Sequence, residues 1–273
     1  MTATFVVVPQ WQGSPSSRAM RLAEGAAAIR ADLPSNGTRE VVVPLEAGDD
    51  QGTGIARFSS LQLVRERLRD TLSELDDAAV VIGGDCGVSS AAVAHAVAVA
   101  ADRGRGDLAL IWFDAHPDLN SPSTSPSGAY GGMVLRSIVD DGLVPAGRVL
   151  LAGARYWDPG EDAFALEAGI RAFTVDEVSD PAVLVDAVAE TDAQSVYLHI
   201  DLDVLDPAEI AGLLDPEPFG LSAAALVATI KALRARFALA GATIASYAPA
   251  GPDDIANDAP TILRVIAALG LNA

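Results

Sequence analysis

The chain has 273 residues, and its 37 acidic side chains against 18 basic ones give a formal net charge of −19. An acid excess of this size repels phosphate backbones and anionic lipid surfaces, which excludes nucleic-acid binding and membrane attachment as main functions. Half of the residues are apolar, so the composition also excludes a disordered or collagen-like chain. We expect one α/β catalytic domain over residues 1–273.

The sequence also predicts where the protein resides. No apolar run reaches about 18 residues without a charge, and residues 1–10 lack the basic start and cleavage pattern of a secretory signal. The single cysteine, Cys86, cannot form an internal disulfide. These features predict a cytoplasmic protein.

Apolar runs of strand length alternate with helical patterns along the chain. Most of the runs lack polar alternation, which indicates strands that are buried on both faces of a parallel sheet. The predicted strands are residues 4–8, 40–43, 79–82, 108–113, 149–152, 172–175, 195–200 and 243–246. The predicted helices are residues 17–31, 59–75, 89–101, 181–190, 222–239 and 259–269, and the Ser- and Pro-rich residues 120–128 form a predicted loop. The order predicts a three-layer α/β/α sandwich around a mostly parallel sheet of about eight strands.

Acidic motifs follow three of these strands, at the ends where open α/β sheets bind ligands. The motifs are Gly83-Gly84-Asp85-Cys86-Gly87, Asp114-Ala115-His116-Pro117-Asp118 and Asp201-Leu202-Asp203-Val204-Leu205-Asp206-Pro207. Several carboxylates in an apolar setting take up protons unless a cation compensates them. Carboxylate and imidazole ligands suit Mn²⁺ or Mg²⁺, and bridging aspartates hold two ions about 3.5–4 Å apart. The alternative is that these aspartates cap helices and solvate loop ends.

The motifs Gly-Gly-Asp, Asp-Ala-His-x-Asp and Asp-x-Asp-x-x-Asp-Pro, in this order, resemble the ureohydrolase family of arginases, agmatinases and formimidoylglutamases. The resemblance extends over about residues 82–249. It implies an α/β/α sandwich with two Mn²⁺ ions, whose bridging hydroxide attacks the carbon of a guanidine or amidine. The implied ligands of one ion are Cys86, Asp114, Asp118 and either Asp201 or Asp203, and those of the other are His116, Asp114, Asp201 and Asp203, with Asp114 and Asp201 bridging. Asp118 is also expected to pass a proton to the departing amine.

The resemblance extends in part to the residues that bind substrate. Asn120, Ser125 and Ser127 resemble the loop that binds the carboxylate of an amino acid, although a solvated turn has the same composition. Asp158 and Glu161, in an Asp-Pro-Gly-Glu motif, resemble the residues that receive the α-amino group. A helix N-cap with a glutamate three residues later has the same sequence, and both roles are compatible.

Three positions depart from the family pattern. Cys86 stands where the family usually has a histidine ligand, and a thiolate there adds a fifth negative ligand against the four positive charges of two ions. An uncoordinated thiol and an inert buried cysteine are the alternatives. Gly131 occupies the position of a proton-relaying histidine, and Ser246 that of a glutamate facing the guanidinium. Asp215 is a candidate for the missing carboxylate, with a turn at Asp215-Pro216 as the alternative.

These departures predict a substrate with an altered guanidine end, such as a neutral N-hydroxyguanidine. Within the family the chain is most similar to the amidinohydrolases that act on Nω-hydroxy-L-arginine in D-cycloserine biosynthesis, which implies L-ornithine and hydroxyurea as products. The alternatives are an arginase or agmatinase and, from another class, a metal-poor ligand-binding homologue. The expected partner is a small-molecule substrate, and the sequence leaves a homo-oligomer open.

Overall fold

The structure is a computed structural model that describes residues 4–104 and 107–270. In this part of the chain there are eight strands and nine α-helices. The strands are β1 (Thr4–Val8), β2 (Thr38–Glu40), β3 (Ala79–Gly83), β4 (Leu108–Phe113), β5 (Val149–Ala152), β6 (Arg171–Phe173), β7 (Ser195–Asp201) and β8 (Ala238–Ala245). The helices are α1 (Met20–Asp32), α2 (Phe58–Ser73), α3 (Ser89–Asp102), α4 (Val134–Asp140), α5 (Pro159–Ala168), α6 (Val175–Val178), α7 (Pro181–Ala189), α8 (Ala223–Arg236) and α9 (Pro252–Ala268).

The strands form one sheet with the order β2-β1-β3-β8-β7-β4-β5-β6, and each pair of neighbouring strands in it is parallel. Two apolar cores lie on its faces: α1 and α6–α9 cover one, and α2–α5 cover the other. The predicted three-layer sandwich is therefore confirmed. Among the described residues, no helix is both long enough and apolar enough to cross a membrane.

The register of the central strands places the acidic motifs next to each other. Phe113 of β4 pairs with Ile200 of β7, so the aspartates that follow them along each strand meet at one edge of the sheet. Asp201 in turn pairs with Ala245 of β8, which places Ser246 beside it. The candidate site lies where β3, β8, β7 and β4 end.

Several predicted bounds were wrong. The helix predicted over 222–239 ends at Arg236, because the backbone turns extended at Phe237 and the following apolar residues pair with β7 as β8. The second strand is Thr38–Glu40 instead of 40–43, since the residues that pair with β1 at this sheet edge are Thr38, Arg39 and Glu40. The last helix begins at Pro252, seven residues earlier than predicted, and the three helices α4, α5 and α6 are absent from the prediction.

Candidate metal centre

Four buried carboxylates meet at the carboxyl ends of the central strands. Asp114, Asp118, Asp201 and Asp203 are all buried, and they line a cavity of about 230 Å³ together with Cys86 and His116. Two of them are fixed by the turn that follows each strand: the Asp203 backbone N–H donates to Asp201 Oδ1 at 2.8 Å, and the His116 backbone N–H donates to Asp114 Oδ1 at 2.7 Å. The six predicted metal ligands therefore lie in one site.

His116 and Asp203 connect the ends of β4 and β7. His116 Nδ1 lies 3.0 Å from Asp203 Oδ2 and 3.6 Å from Asp114 Oδ1, while the Ala115 backbone N–H donates to Asp203 Oδ1 at 3.0 Å. Burial lowers the pKa of His116, but the hydrogen bonds and charges of the two carboxylates outweigh it and raise that pKa well above its usual value. In this arrangement the imidazolium is the nearest compensating charge for the acidic cluster.

Cys86 lies in the short turn after β3, directly against the carboxylates. Its Sγ lies 2.8 Å from Asp201 Oδ2 and 3.5 Å from Ser246 Oγ, and Ser246 also hydrogen bonds to the same carboxylate oxygen. Burial and the neighbouring aspartates, first Asp201, raise the pKa of the thiol well above its usual value. The protonated thiol thus donates to Asp201, and a cation must displace its proton to bind the sulfur.

The charge of this cluster fits a divalent cation. Burial, followed by repulsion from Asp201, raises the pKa of Asp114 to about 6. Burial and the neighbouring carboxylates raise the pKa of Asp118 and Asp201 further above their usual range. Asp118 Oδ2 is buried without a hydrogen-bond partner. Carboxylate oxygens with one imidazole are the donor set of hard divalent ions, and a cation there would relieve both the repulsion and the unpaired oxygen.

A second layer of buried side chains, which the sequence motifs did not indicate, lies under the floor of the cavity. The floor consists of Cys86, Asp114, His116, Asp118, Asp201 and Asp203. The Trp112 indole N–H donates to Asp114 Oδ2 at 3.0 Å, and its ring stacks on that of His199 at a centroid distance of 3.5 Å. His199 Nδ1 lies 2.9 Å from Ser89 Oγ. The signal was present in the sequence, because strand residues two apart share a face and His199 and Trp112 each precede a predicted ligand by two positions.

The backbone is strained at two residues of the site. Asp118 and Ser246 have φ angles of 53° and 67°, in the left-handed region that residues with a Cβ rarely adopt. Such strain persists where surrounding contacts enforce it, and it is concentrated at functional sites. Both residues face the cavity.

The predicted substrate-binding residues line the mouth of the same cavity. Asn120 Nδ2 donates to Asp158 Oδ2 at 2.9 Å. Glu161 is buried and accepts the backbone N–H groups of Leu119 and Asp158 at 3.0 and 2.9 Å. Glu161 therefore ties the start of α5 to the loop after β4, and its backbone contacts agree with the N-cap alternative.

The serines of the loop 120–128 are also paired within the loop. Ser125 Oγ accepts the Gly128 backbone N–H at 3.1 Å, and Ser127 Oγ accepts that of Ala129 at 3.2 Å. Both side chains line the cavity, and their hydroxyl oxygens lie 3.4 Å apart, so one hydroxyl donates to the other and the second keeps an unused donor. The loop is thus an ordered rim that leaves a hydroxyl group available to a ligand.

The positions that depart from the family pattern lie around the cavity as well. Gly131 donates its N–H to the Gly13 carbonyl at 2.9 Å, and a Cβ added at Gly131 would lie 3.1 Å from that oxygen. A side chain here would therefore press against the N-terminal loop. Asp215 also lines the cavity, on the loop between β7 and α8.

Arg155 connects the loop between β7 and α8 to the acidic cluster. Its half-buried guanidinium donates to the carbonyl oxygens of Asp203 at 2.8 Å and Glu217 at 2.7 Å. Buried carbonyl groups need such partners. One side chain thus joins the turn that carries Asp203 to the segment that carries Asp215.

Comparison with known proteins agrees with this geometry. The family described as the Arginase family matches residues 16–267, so the chain belongs to the arginase family.

Individual relatives give the same assignment over a shorter stretch. The arginase of Staphylococcus aureus (strain MSSA476) is 27% identical over 190 residues, which are 63% of this chain and 61% of that protein. The arginase of Bacillus caldovelox is 33% identical over 193 residues, 62% of each chain. These matches span about three fifths of the curated relatives' length.

The fold has close counterparts among solved structures. The crystal structure of Entamoeba histolytica arginase in complex with L-ornithine superimposes with a TM-score of 0.85 at 23% identity, over 99% of both chains. At this identity the likeness concerns the fold.

Proposed function

We propose that the protein is a binuclear manganese amidinohydrolase that converts Nω-hydroxy-L-arginine and water to L-ornithine and hydroxyurea. The observation that carries the proposal is the position of Ser246, whose hydroxyl bonds Asp201 and lies beside Cys86 in the cavity. A neutral hydroxyl thus occupies the place where the family pattern has a carboxylate facing the guanidinium. Membership of the arginase family supports the amidine chemistry.

The six residues at the strand ends would hold the two ions. Cys86, Asp114 and Asp118 lie toward one position, and Asp114, His116 and Asp203 toward the other. Asp201 lies between them, next to Cys86 on one side and bonded to the Asp203 backbone on the other. When bound, two divalent cations supply an activated water and polarise the carbon–nitrogen system of the substrate.

The chain's own residues bind and orient the substrate. Ser125, Ser127 and Asn120 present hydroxyl and amide donors at the rim, which suits an α-carboxylate, while Asp158 presents a carboxylate to an α-ammonium group. The substrate chain then extends from the rim to the acidic floor. This two-ended arrangement favours an amino acid over agmatine, which lacks the carboxylate.

Asp118 is the residue that we assign to proton transfer. Its Oδ2 is buried without a partner, and burial with the neighbouring charges raises its pKa well above the usual value. As the sequence resemblance implies, this side chain would take up a proton from the attacking water and deliver it to the departing δ-amine of ornithine.

A hydroxyguanidine matches the neutral hydroxyl of Ser246 better than a guanidinium does. The electron-withdrawing hydroxyl lowers the basicity of the group, so it binds neutral and does not need a facing carboxylate. Gly131, where the family pattern has a proton-relaying histidine, lines the same cavity without a side chain. Such an enzyme would form the hydroxyurea of D-cycloserine biosynthesis, as the sequence resemblance implies.

An arginase is the second candidate, because Asp215 lines the cavity and offers a carboxylate to a cationic guanidinium. The three substrates Nω-hydroxy-L-arginine, L-arginine and agmatine, compared on Mn²⁺-loaded protein, separate the candidates. We expect kcat/KM to be highest for hydroxyarginine, with hydroxyurea and ornithine formed in equal amounts. An equal or higher value for arginine would overturn the substrate assignment.

Metal analysis of the same sample tests the proposal against a non-catalytic homologue. We expect about two Mn²⁺ per chain after incubation and desalting, and loss of activity on chelation. Fewer than about one ion per chain, together with no hydrolysis of any of the three substrates, would favour a ligand-binding protein.

A further inference from the structure

We propose that His199 is a metal ligand, which supplies an imidazole to the ion position formed by Cys86, Asp114 and Asp118. This inference rests on the proposed metal-dependent function. His199 lies on β7, two residues before Asp201, so both side chains point to the same face of the strand. It lies beneath the cavity, fully buried with 0% exposure.

The ring of His199 is held in one orientation by two contacts. Its Nδ1 lies 2.9 Å from Ser89 Oγ at the start of α3, and its face stacks on Trp112 with an angle of 12° between the planes. A histidine that binds metal through one nitrogen usually donates the N–H of the other to a neighbouring oxygen, which fixes the tautomer. Ser89 provides that oxygen, so Nε2 is left as the free acceptor.

Nε2 has no hydrogen-bond partner, although the side chain is completely buried. An unsatisfied buried polar atom destabilises the folded chain, so it calls for a partner. The nearest carboxylate oxygen, Asp114 Oδ2, is 3.8 Å away, beyond hydrogen-bond distance, and already accepts the Trp112 N–H. A protein hydrogen bond therefore does not satisfy Nε2.

The surrounding ligand atoms are spaced closely enough to approach a shared cation. One atom each of Cys86, Asp114, Asp118 and His199 all lie within 4.8 Å of one another. This limit is close to the widest separation of two atoms bound to one ion, about 4.6 Å for ligand distances of about 2.3 Å. Asp118, whose Oδ2 is the second unpartnered buried atom of the site, belongs to this same group of residues.

A purely structural role for His199 makes a different prediction from coordination. A packing residue is retained for its stacking on Trp112 and its bond to Ser89, and its replacement changes stability without changing which atoms bind the metal. A ligand changes the nitrogen coordination of the ion. Pulsed electron paramagnetic resonance of bound Mn²⁺ detects that nitrogen directly, with no substrate and no turnover.

The chain is suited to this experiment because it contains three histidines. His95, the third, is half-buried on the outer side of α3 and lies near the Asp77 carbonyl, outside the cavity. Replacing His116 by asparagine therefore leaves His199 as the imidazole at the metal centre. Labelling with ¹⁵N-histidine then identifies the coupled nitrogen without altering position 199.

We expect His116→Asn protein loaded with Mn²⁺ to show imidazole nitrogen coupling that changes from ¹⁴N to ¹⁵N on labelling. The coupling should be lost in the double variant His116→Asn/His199→Asn and retained in His116→Asn/His95→Asn, the matched control. Bound Mn²⁺ without imidazole coupling in the His116→Asn protein would overturn the proposal.

Metal affinity decides the question if His116→Asn protein fails to bind Mn²⁺. In the otherwise unchanged chain, His199→Asn keeps a polar group near Ser89 but lacks Nε2. We expect its Mn²⁺ affinity to fall more than about 10-fold, with the metal-free melting temperature close to that of His95→Asn. An affinity equal to that of the unmodified chain would refute coordination and leave the proposed function intact. No Mn²⁺ binding by the unmodified chain would refute both.

Discussion

The floor and the rim of the cavity differ in how their polar groups are satisfied. At the rim, Asn120, Asp158 and Glu161 hydrogen bond to each other or to backbone N–H groups. At the floor, by contrast, buried carboxylates face one another, and Asp118 Oδ2 and His199 Nε2 have no partner. These polar groups of the rim are thus paired within the protein, whereas two buried polar atoms of the floor are not.

This difference separates contacts that stabilise the fold from groups that are available to bind a metal ion or substrate. Satisfied buried polar groups contribute to stability, and crowded carboxylates reduce it unless they bind something. Changes at the floor should therefore act on metal binding, and changes at the rim on stability and substrate affinity.

Asp114→Asn should have the largest effect, because Asp114 belongs to both candidate groups of metal ligands. We expect activity to fall by more than about 100-fold, the upper range for losing an outer partner of a metal ligand. Mn²⁺ content should fall with it. The control is Asp107→Asn near the other end of β4, where Asp107 pairs with Arg148 and is half exposed. Equal Mn²⁺ content in the two variants would show that the floor does not depend on this carboxylate.

Glu161→Gln should act on the rim by placing an amide donor against one of two backbone N–H groups. We expect the free energy of unfolding to fall by about 1–3 kcal/mol, while Mn²⁺ stoichiometry stays unchanged. Chemical denaturation of the metal-free chain measures this. Glu167→Gln, exposed on the same helix, should change stability by less than about 0.5 kcal/mol. A loss of bound Mn²⁺ in Glu161→Gln would break the separation of floor and rim.

Mn²⁺ affinity should depend on pH because Asp114 at the floor binds a proton in competition with the metal ion. Because the pKa of Asp114 is raised to about 6, a proton occupies this ligand below that pH and must leave when the ion binds. We expect the dissociation constant measured by titration calorimetry to rise by about tenfold or more per pH unit below about 6. An affinity that is constant between pH 5 and 7 would contradict this competition.

The raised pKa of Asp114 has the opposite effect on the folding stability of the metal-free protein. The folded chain binds the Asp114 proton more tightly than the unfolded chain, so its contribution to stability decreases as pH rises from 3.8 to about 6. Added Mn²⁺ should reverse this loss at neutral pH. Denaturation curves with and without chelator, recorded at both ends of this window, measure both effects.

Cys86→His should strengthen Mn²⁺ binding at the floor of the cavity. The raised pKa of the thiol means that metal binding must remove a proton from sulfur, whereas a neutral imidazole binds without that cost. We expect Mn²⁺ to bind about tenfold more tightly, which is about 1.4 kcal/mol, and activity toward L-arginine to increase. Cys86→Ser is the control and should not tighten binding. If neither affinity nor arginine turnover changes in Cys86→His, the sulfur is not a ligand.

Ser127→Ala should have the smallest effect, since it removes one hydroxyl from the rim. We expect KM for hydroxyarginine to rise by about 2- to 10-fold, the value of one neutral hydrogen bond, with kcat and Mn²⁺ content unchanged. Ser123→Ala, in the same loop but outside the cavity lining, should leave KM within about twofold. An equal KM in the two variants would remove Ser127 from the substrate-binding set.

Sequence reasoning predicted the floor better than the rim. The two Asp-rich motifs directly follow apolar strands, and parallel strands bring their carboxyl ends to one edge, so the ligand cluster followed from local patterns. The rim has short polar sequences that are compatible with both a cap and a ligand site. Glu161 shows the ambiguity, because its sequence fits both roles and its contacts are with backbone N–H groups.

The parallel α/β/α sandwich and the acidic centre at its strand ends can be read from the chain alone, because hydrophobic runs and the motifs that follow them are local. The grouping of His199 with Cys86, Asp114 and Asp118, the hydrogen bond from Ser246 to Asp201 and the connection of two loops by Arg155 appear only in the folded protein. These contacts join segments that are far apart in the sequence. Their distances depend on strand register and sheet order, which no single segment specifies.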